Sequence, residues 1–312
     1  MSTKQYSNVK MWKYLLKTIV IILFIFLFWQ IVLILLAIKE SFIKINQNPC
    51  KSQAIVTRNH SEIPRLIHQM WKSEDLSTFP INNSFNEWKK SYSNYEIRFW
   101  TDRQIENLIS QAEYQYLYST YHSFTYSIQR ADLARLLVLH AYGGIYADLD
   151  VFPSPKRIDE LLKNNYSLII PLSTTETSII NHFIIAEKSS SILNYLLHRM
   201  KSKRFFQKIY LLPYLEVFST GSFFLTRELN NYIQSTANSK TSLKILSDNE
   251  VTSFVIHQQG RSWHFIDGFI LNSINDQPFI SFLIFILFLL ISIFIYKSSL
   301  LLSHFQKLFS KK

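Results

Sequence analysis

HAYGGIYADLDVF, residues 140–152, decides how this chain is read. An apolar run leads into a Gly-Gly pair, a short strand-like segment and then two aspartates, Asp148 and Asp150. Acids are poor strand formers and costly to bury unpaired. Two of them one residue apart repel unless a positive group sits with them, so the surrounding sequence must supply one.

Immediately upstream, YSIQRADLARLLVLHAY (126–142) has helical periodicity. Leu133, Leu136, Leu137 and His140 share one face, and Gly143 is placed to end the helix. Asp132 and Arg135, three apart, share a face and form an ion pair, either on the surface or in a site. Further out, PRLIHQMW (64–71) and YEIRFW (95–100) read as strands. Thr101-Asp102-Arg103-Gln104 is a capping box opening a helix to about Ser110. After the acids, SLIIP (167–171), HFIIAE (182–187), LKILS (243–247) and TSFVIHQ (252–258) read as strands, with a helix near 189–202. Strands alternating with helices predict an α/β domain with a mainly parallel sheet. In such sheets ligands bind beyond the carboxyl ends of strands, which is where Asp148 and Asp150 fall.

On extended chain, side chains at i and i+2 point the same way. A hard divalent cation such as Mn2+ or Mg2+ would draw two such carboxylates together and also bind phosphate oxygens. It would neutralise the charge on a departing diphosphate, the leaving group of a sugar nucleotide. The bare triplet is short, and two acids in a solvated turn are the plain alternative. A phosphatase-type Asp-x-Asp-x-Thr is disfavoured, because Phe152 stands where the Thr belongs and the motif falls mid-domain.

The ends of the chain are different in kind. TIVIILFIFLFWQIVLILLAI (18–38) and PFISFLIFILFLLISIFIY (278–296) are each long and apolar enough to cross a bilayer core. Lys4, Lys10, Lys13 and Lys17 precede the first segment, and Lys297, Lys307, Lys311 and Lys312 follow the second. With those lysines set aside, the +11 net charge shrinks to near balance. Binding to nucleic acid is therefore not expected, and neither is a transporter, because the middle of the chain is soluble in character. The positive flanks predict cytoplasmic termini and a middle on the opposite face. A cleaved signal peptide fits the first segment less well, since its apolar run is too long. The expected organisation is a tail (1–17), a membrane helix (18–38), a stem (39–62), a lumenal domain (63–277), a second membrane helix (278–296) and a tail (297–312). Sequons at Asn59, Asn82 and Asn165 agree with a lumenal middle. Cys50, the single cysteine, can form no intrachain disulfide.

QRADLARLLVLHAYGGIYADLDV (129–151) resembles the sugar-binding region of the DXD-type glycosyltransferases, the group of the yeast initiating mannosyltransferases and the inositol phosphorylceramide mannosyltransferases (glycosyltransferase family 32 type). IPRLIHQMWK (63–72), NYEIRFWTD (94–102), LPYLEVFSTGSFFLT (212–226) and GRSWH (260–264) agree with it. The last two blocks are most similar to the inositol phosphorylceramide enzymes.

The resemblance implies a GT-A fold, a nucleotide-sugar donor, a divalent metal (Mn2+ or Mg2+), retention of configuration and a Golgi or ER membrane location. The donor it implies is GDP-mannose and the acceptor a membrane glycolipid such as inositol phosphorylceramide. A UDP-sugar-dependent galactosyl- or N-acetylglucosaminyltransferase, or a catalytically silent membrane lectin or scaffold, are the alternatives. Asp148 would contact ribose or donor sugar, and Asp150 the metal. Asp132 and Arg135 would hold the sugar hydroxyls and phosphate, as the matching pair does in related glucosylating toxins. Arg130 fits that role no better than it fits a solvated cation. Trp71 would lie near the nucleobase, and Tyr146 would line the donor pocket or simply pack there. His257 or His264 would complete the metal shell, and Trp263 would close over the diphosphate. His68 reads as a core histidine. Two departures stand out: Arg261 where Ser is more usual, and His182 in Ile180-Asn181-His182-Phe183 where Ser-Asn-Asp-Phe is expected. With no acid at 182, Asn181 alone is carried over.

Overall fold

A computed structural model describes residues 62–79, 82–163, 166–174, 178–202, 220–236 and 242–258, together with scattered positions between Tyr14 and Trp29. The chain divides into two compact units, Met1–Ser262 and Trp263–Lys312, and every described residue belongs to the first.

Among the described residues, a sheet of six strands forms the centre. In chain order these are β1 (Leu66–Met70), β2 (Glu96–Trp100), β3 (Gly144–Ala147), β5 (Leu168–Pro171), β6 (Phe183–Ala186) and β7 (Leu243–Leu246), and in space they run β2-β1-β3-β6-β5-β7. Five of them point one way. β6 alone is reversed, pairing antiparallel with β3 and with β5. The mainly parallel α/β sheet expected from the sequence is therefore observed. A separate antiparallel pair joins β4 (Val151–Pro153) to β8 (Val255–His257).

Both faces of the sheet are covered, and the strands β3, β5 and β6 are accordingly buried along their whole length and carry no charged residue. Ile67, Ile145, Ala147, Ile169, Phe183 and Ile185 face one core, with Trp88 of α1 (Phe85–Ser91), Tyr92 just after it, and Val251 and Phe254 of α8 (Asp248–Phe254). Tyr146, Leu168, Ile170, Ile184 and Ala186 face the other. That second core is built from α2 (Asp102–Ile109), α3 (Gln115–His122), α4 (Ser127–Tyr142), α6 (Ser191–Ser202) and α7 (Ser222–Ser235). A short helix, α5 (Asp159–Leu162), and a 3-10 turn at Leu76–Thr78 complete the described elements.

The predicted helix from Thr101 forms with both capping-box bonds: the Gln104 amide N–H donates to Thr101 Oγ1 and the Thr101 amide N–H to Gln104 Oε1. α4 ends at Gly143, as its periodicity predicts, but it is buried almost all round from Asp132 to His140 and not along one face only. It lies between the sheet and α6, so a one-sided apolar stripe would not suffice. The predicted strand 252–258 is shorter than expected. Ser247 and Glu250 form a capping box that draws residues 248–254 into α8 and leaves only Val255–His257 extended.

Most of the predicted span 18–38 and all of 278–296 lie outside the described residues. The described positions from Tyr14 to Trp29 are helical and exposed. No helix among the described residues is long and apolar enough to cross a membrane.

Two features fasten β3. Gly143 and Gly144 have φ of 68° and 98°, in the left-handed region that favours glycine. They bring the chain from α4 into β3 with no intervening loop, and a Cβ at Gly144 would overlap the Leu66 carbonyl oxygen. His68, fully buried on β1, lies 2.8 Å from the Gly143 carbonyl through Nε2 and receives the Trp100 indole N–H at Nδ1, 2.9 Å away. Those partners make it the neutral Nε2–H tautomer and a core histidine, as the sequence suggests.

Gly144→Ala is expected to cost roughly 2–3 kcal/mol in urea unfolding, through backbone strain and overlap. Burial holds the His68 pKa down at about 4 against its ordinary 6.5. The unfolded chain therefore takes up this proton first as pH falls. Stability from the neutral ring is full above about pH 6.5 and is lost toward pH 4, by about 3 kcal/mol in total. Denaturant titrations at stepped pH should show this slope in the wild type and a shallower one in His68→Gln.

Candidate active site

Asp148 follows β3 directly, at the carboxyl end of the parallel strands. Because β6 is reversed, its beginning lies beside the end of β3, and the Asp148 amide N–H donates to the His182 carbonyl at 2.9 Å. Gln69, fully buried near the end of β1, donates from Nε2 to the Asp148 carbonyl (3.3 Å) and to Ser84 Oγ (2.9 Å). Three strand ends thus fix the backbone of one aspartate.

The positive group that the sequence required is Arg135. Its Nε and Nη2 donate to Asp148 Oδ1 at 3.1 and 2.9 Å, while Nη1 donates to Asp132 Oδ1 at 2.5 Å. Tyr146 Oη adds a bond to Asp148 Oδ1 at 2.7 Å, and its ring lies under the guanidinium, 5.5 Å from Cζ to centroid. Asp132 is further satisfied by Asn181 Nδ2 (2.8 Å, to Oδ1) and Thr220 Oγ1 (2.7 Å, to Oδ2). Asp132 and Arg135 are 4% and 6% exposed, so the surface ion pair weighed above is excluded. Burial works to lower the Arg135 pKa, but Asp148, Tyr146 and Asp132 outweigh it, and the group stays cationic. Burial raises the Asp132 and Asp148 pKa values, and Arg135 pulls both back. Burial also pushes the Tyr146 phenol up, so the hydroxyl remains a donor.

Asp148 and Asp150 do not share one side of an extended strand. The Val151 amide donates to the Asp148 carbonyl at 3.0 Å, so residues 148–151 turn and the two acids find separate partners. Asp150 belongs to the β4–β8 pair. The Gln258 amide donates to its carbonyl at 2.8 Å, and its Oδ2 lies 3.4 Å from His257 Nε2. Of the two histidines proposed for a metal, His257 is thus beside Asp150. His264 lies outside the described residues, as does Trp263. One carboxylate oxygen and one imidazole nitrogen thus lie side by side, a pair that could form part of a divalent-cation shell. Among the described residues no group of three or more His, Cys, Asp or Glu is assembled for an ion.

Trp71 is not drawn into this network. It is half-buried, donates from Nε1 to Thr78 Oγ1 (2.7 Å) and meets Phe79 edge-on at 4.9 Å. Phe79 lines a cleft of about 410 Å³ with Leu76, Ser77, Asn82, Asn83, Asn86, Glu87 and Phe152, the last only two residues from Asp150. Arg130 donates to the Phe124 carbonyl at 3.0 Å and so braces the turn before α4.

Thr220 and Gln69 carry polar contacts to this site that sequence reasoning did not assign. Thr220 sits just before α7, in a Ser-Thr-Gly step typical of a helix start, and that was the available signal. Gln69 interrupts the apolar run of β1, which a polar residue does only for a reason.

Removing Arg135 would leave Asp132 and Asp148 without their cation. Arg135→Ala is expected to lose about 3–5 kcal/mol in chemical denaturation. Arg135→Lys keeps the charge without the fork and should fall between. A loss under about 0.5 kcal/mol for Ala, the range of an ordinary surface substitution, would contradict the clasp.

Residues 80–168 match the family described as "Glycosyltransferase sugar-binding region containing DXD motif". The chain is 31% identical to "Inositol phosphoceramide mannosyltransferase 1" of Schizosaccharomyces pombe over 66% of this chain and 64% of that protein. It is 29% identical to "Inositol phosphoceramide mannosyltransferase 3" of the same yeast over 78% of this chain and 67% of that protein. With "Mannosyl phosphorylinositol ceramide synthase CSH1" of Saccharomyces cerevisiae the identity is 27%, over 69% of this chain and 56% of that protein. The chain thus covers less than two thirds of the first and third of these relatives. The solved structure "PaToxG Glycosyltransferase" aligns at 19% identity and a TM-score of 0.39, over 55% of this chain and 70% of that one, too loosely to add to the fold. The resemblance read from residues 129–151 holds: residues 80–168 match the DXD-containing glycosyltransferase sugar-binding region, and the chain is similar to the yeast inositol phosphoceramide mannosyltransferases.

Proposed function

We propose that this chain is a membrane-bound retaining glycosyltransferase of GT-A type. It moves mannose from GDP-mannose to a membrane glycolipid such as inositol phosphorylceramide. The observation that carries this reading is the clasp at the end of β3. Asp148 is held by Arg135 and Tyr146, next to an Asp150–His257 pair with the donor chemistry of a divalent-cation site. The named activities of the relatives support the sugar and the acceptor.

The chain's own residues divide the work. Asp132, Arg135 and Asp148 form a rigid polar wall, and Asp148, 23% exposed where Asp132 is buried, is the acid able to accept a donor hydroxyl. Arg135 offers positive charge close to where a sugar phosphate would lie, at no cost in reorganisation. Asp150 and His257 would hold Mn2+ or Mg2+, which when bound stabilises negative charge on the leaving diphosphate. The lysine-flanked segments 18–38 and 278–296 support membrane anchoring with both termini cytoplasmic, and the resemblance supports a Golgi or ER membrane. Two anchors would keep the domain near a lipid acceptor and raise its effective concentration there.

The purified chain, incubated with a panel of GDP- and UDP-sugars and Mn2+, should release GDP from GDP-mannose when lipid acceptor is present. Asp150→Ala should abolish release while its unfolding curve stays near wild type. Wild-type activity in that variant would refute the cation role. Turnover of a UDP-sugar instead would reassign the donor. Release of no nucleotide from any donor would favour the silent lectin.

A further inference from the structure

His182 occupies the position where the resemblance leads one to expect an acid. Its ring stacks on that of His257, with centroids 4.3 Å apart and planes 8° from parallel. On its other side His257 meets Asp150 at 3.4 Å. His182 itself is fixed: it is 7% exposed, its carbonyl accepts the Asp148 amide, and the next residue begins β6. A surface histidine has two free side-chain torsions and would lose them on gripping an ion. Here the lost freedom is taken up in advance by a flat neighbour anchored to the sheet.

We propose that His182 is a positioning residue: its imidazole is the plate against which His257 is held, so that His257 and Asp150 grip one divalent cation. The inference rests on the cation reading above but concerns a residue outside that grip. An acid at this position would supply charge; this chain supplies a plane instead.

The test is Mn2+ binding to the full chain in detergent, alone and with GDP. Free Mn2+ is followed by continuous-wave EPR and nitrogen ligation by pulsed EPR, with thermal melts to check each variant's fold. His182→Phe keeps a flat ring and should bind within about twofold of wild type, with the nitrogen coupling intact. His182→Ala, and His182→Leu as a bulky non-planar control, should weaken binding about tenfold or more, the usual cost of losing a group that orients a ligand. His257→Ala should abolish the coupling. Wild-type affinity in both His182→Ala and His182→Leu would overturn the proposal. So would a coupling that survives His257→Ala and vanishes in His182→Phe, since His182 would then be the ligand. A wild-type chain that binds no Mn2+ even with GDP overturns the cation reading itself. Binding that depends on Asp150 but not on residue 182 overturns only the present inference.

Discussion

One guanidinium organises this domain. Arg135 is buried, permanently charged and bonded to two carboxylates from different elements. In a low-dielectric interior, an unpaired charge costs more than most contacts return. The fold is therefore committed to keeping Asp132, Arg135 and Asp148 together. Because Asn181 and Thr220 complete the shell of Asp132, the commitment extends to the segment leading into β6 and to the start of α7. A polar network so fully satisfied fixes one arrangement of its members. That rigidity is what a site needs if it is to stabilise charge without rearranging.

Topology brings the parts to one edge. A wholly parallel sheet would place residue 182 at the opposite edge from Asp148; the reversal of β6 puts them in hydrogen-bonding contact. The small β4–β8 pair performs the same service for Asp150 and His257. The Asp132–Arg135–Asp148 clasp and the Asp150–His257 pair thus rest on separate strand pairings, joined by the turn at residues 148–151 and by His182, which bonds to Asp148 and stacks on His257.

The parts legible in the sequence were those governed by local physics. The α4 periodicity, the glycine pair and the Thr101–Gln104 capping box each depend on a few neighbouring residues, and each formed where expected. So did the placing of Asp148 at a strand end and the sharing of a helix face by Asp132 and Arg135. Long-range pairing was not legible. Nothing local to HFIIAE announces that it runs backwards, and nothing in the acid pair announces a turn in place of an extended strand. The helices at 85–91, 115–122 and 222–235 were not read at all, their patterns being mixed with aromatic and polar residues. The length of β8 was misjudged because Ser247 and Glu250, a local signal, outweighed an apolar run that resembled a strand. The partnership of His182 and His257 was out of reach, since it joins residues from different sheets.

The β4–β8 ladder also orders events in time. Residues emerge from a ribosome from the amino end, so the clasp of Asp132, Arg135 and Asp148 has all its members once Thr220 is out. The partner strand for Val151–Pro153, and with it His257, arrives later. Until then a nascent chain has the Asp132–Arg135–Asp148 clasp complete while Asp150 still waits for His257 and for the strand that the ladder adds.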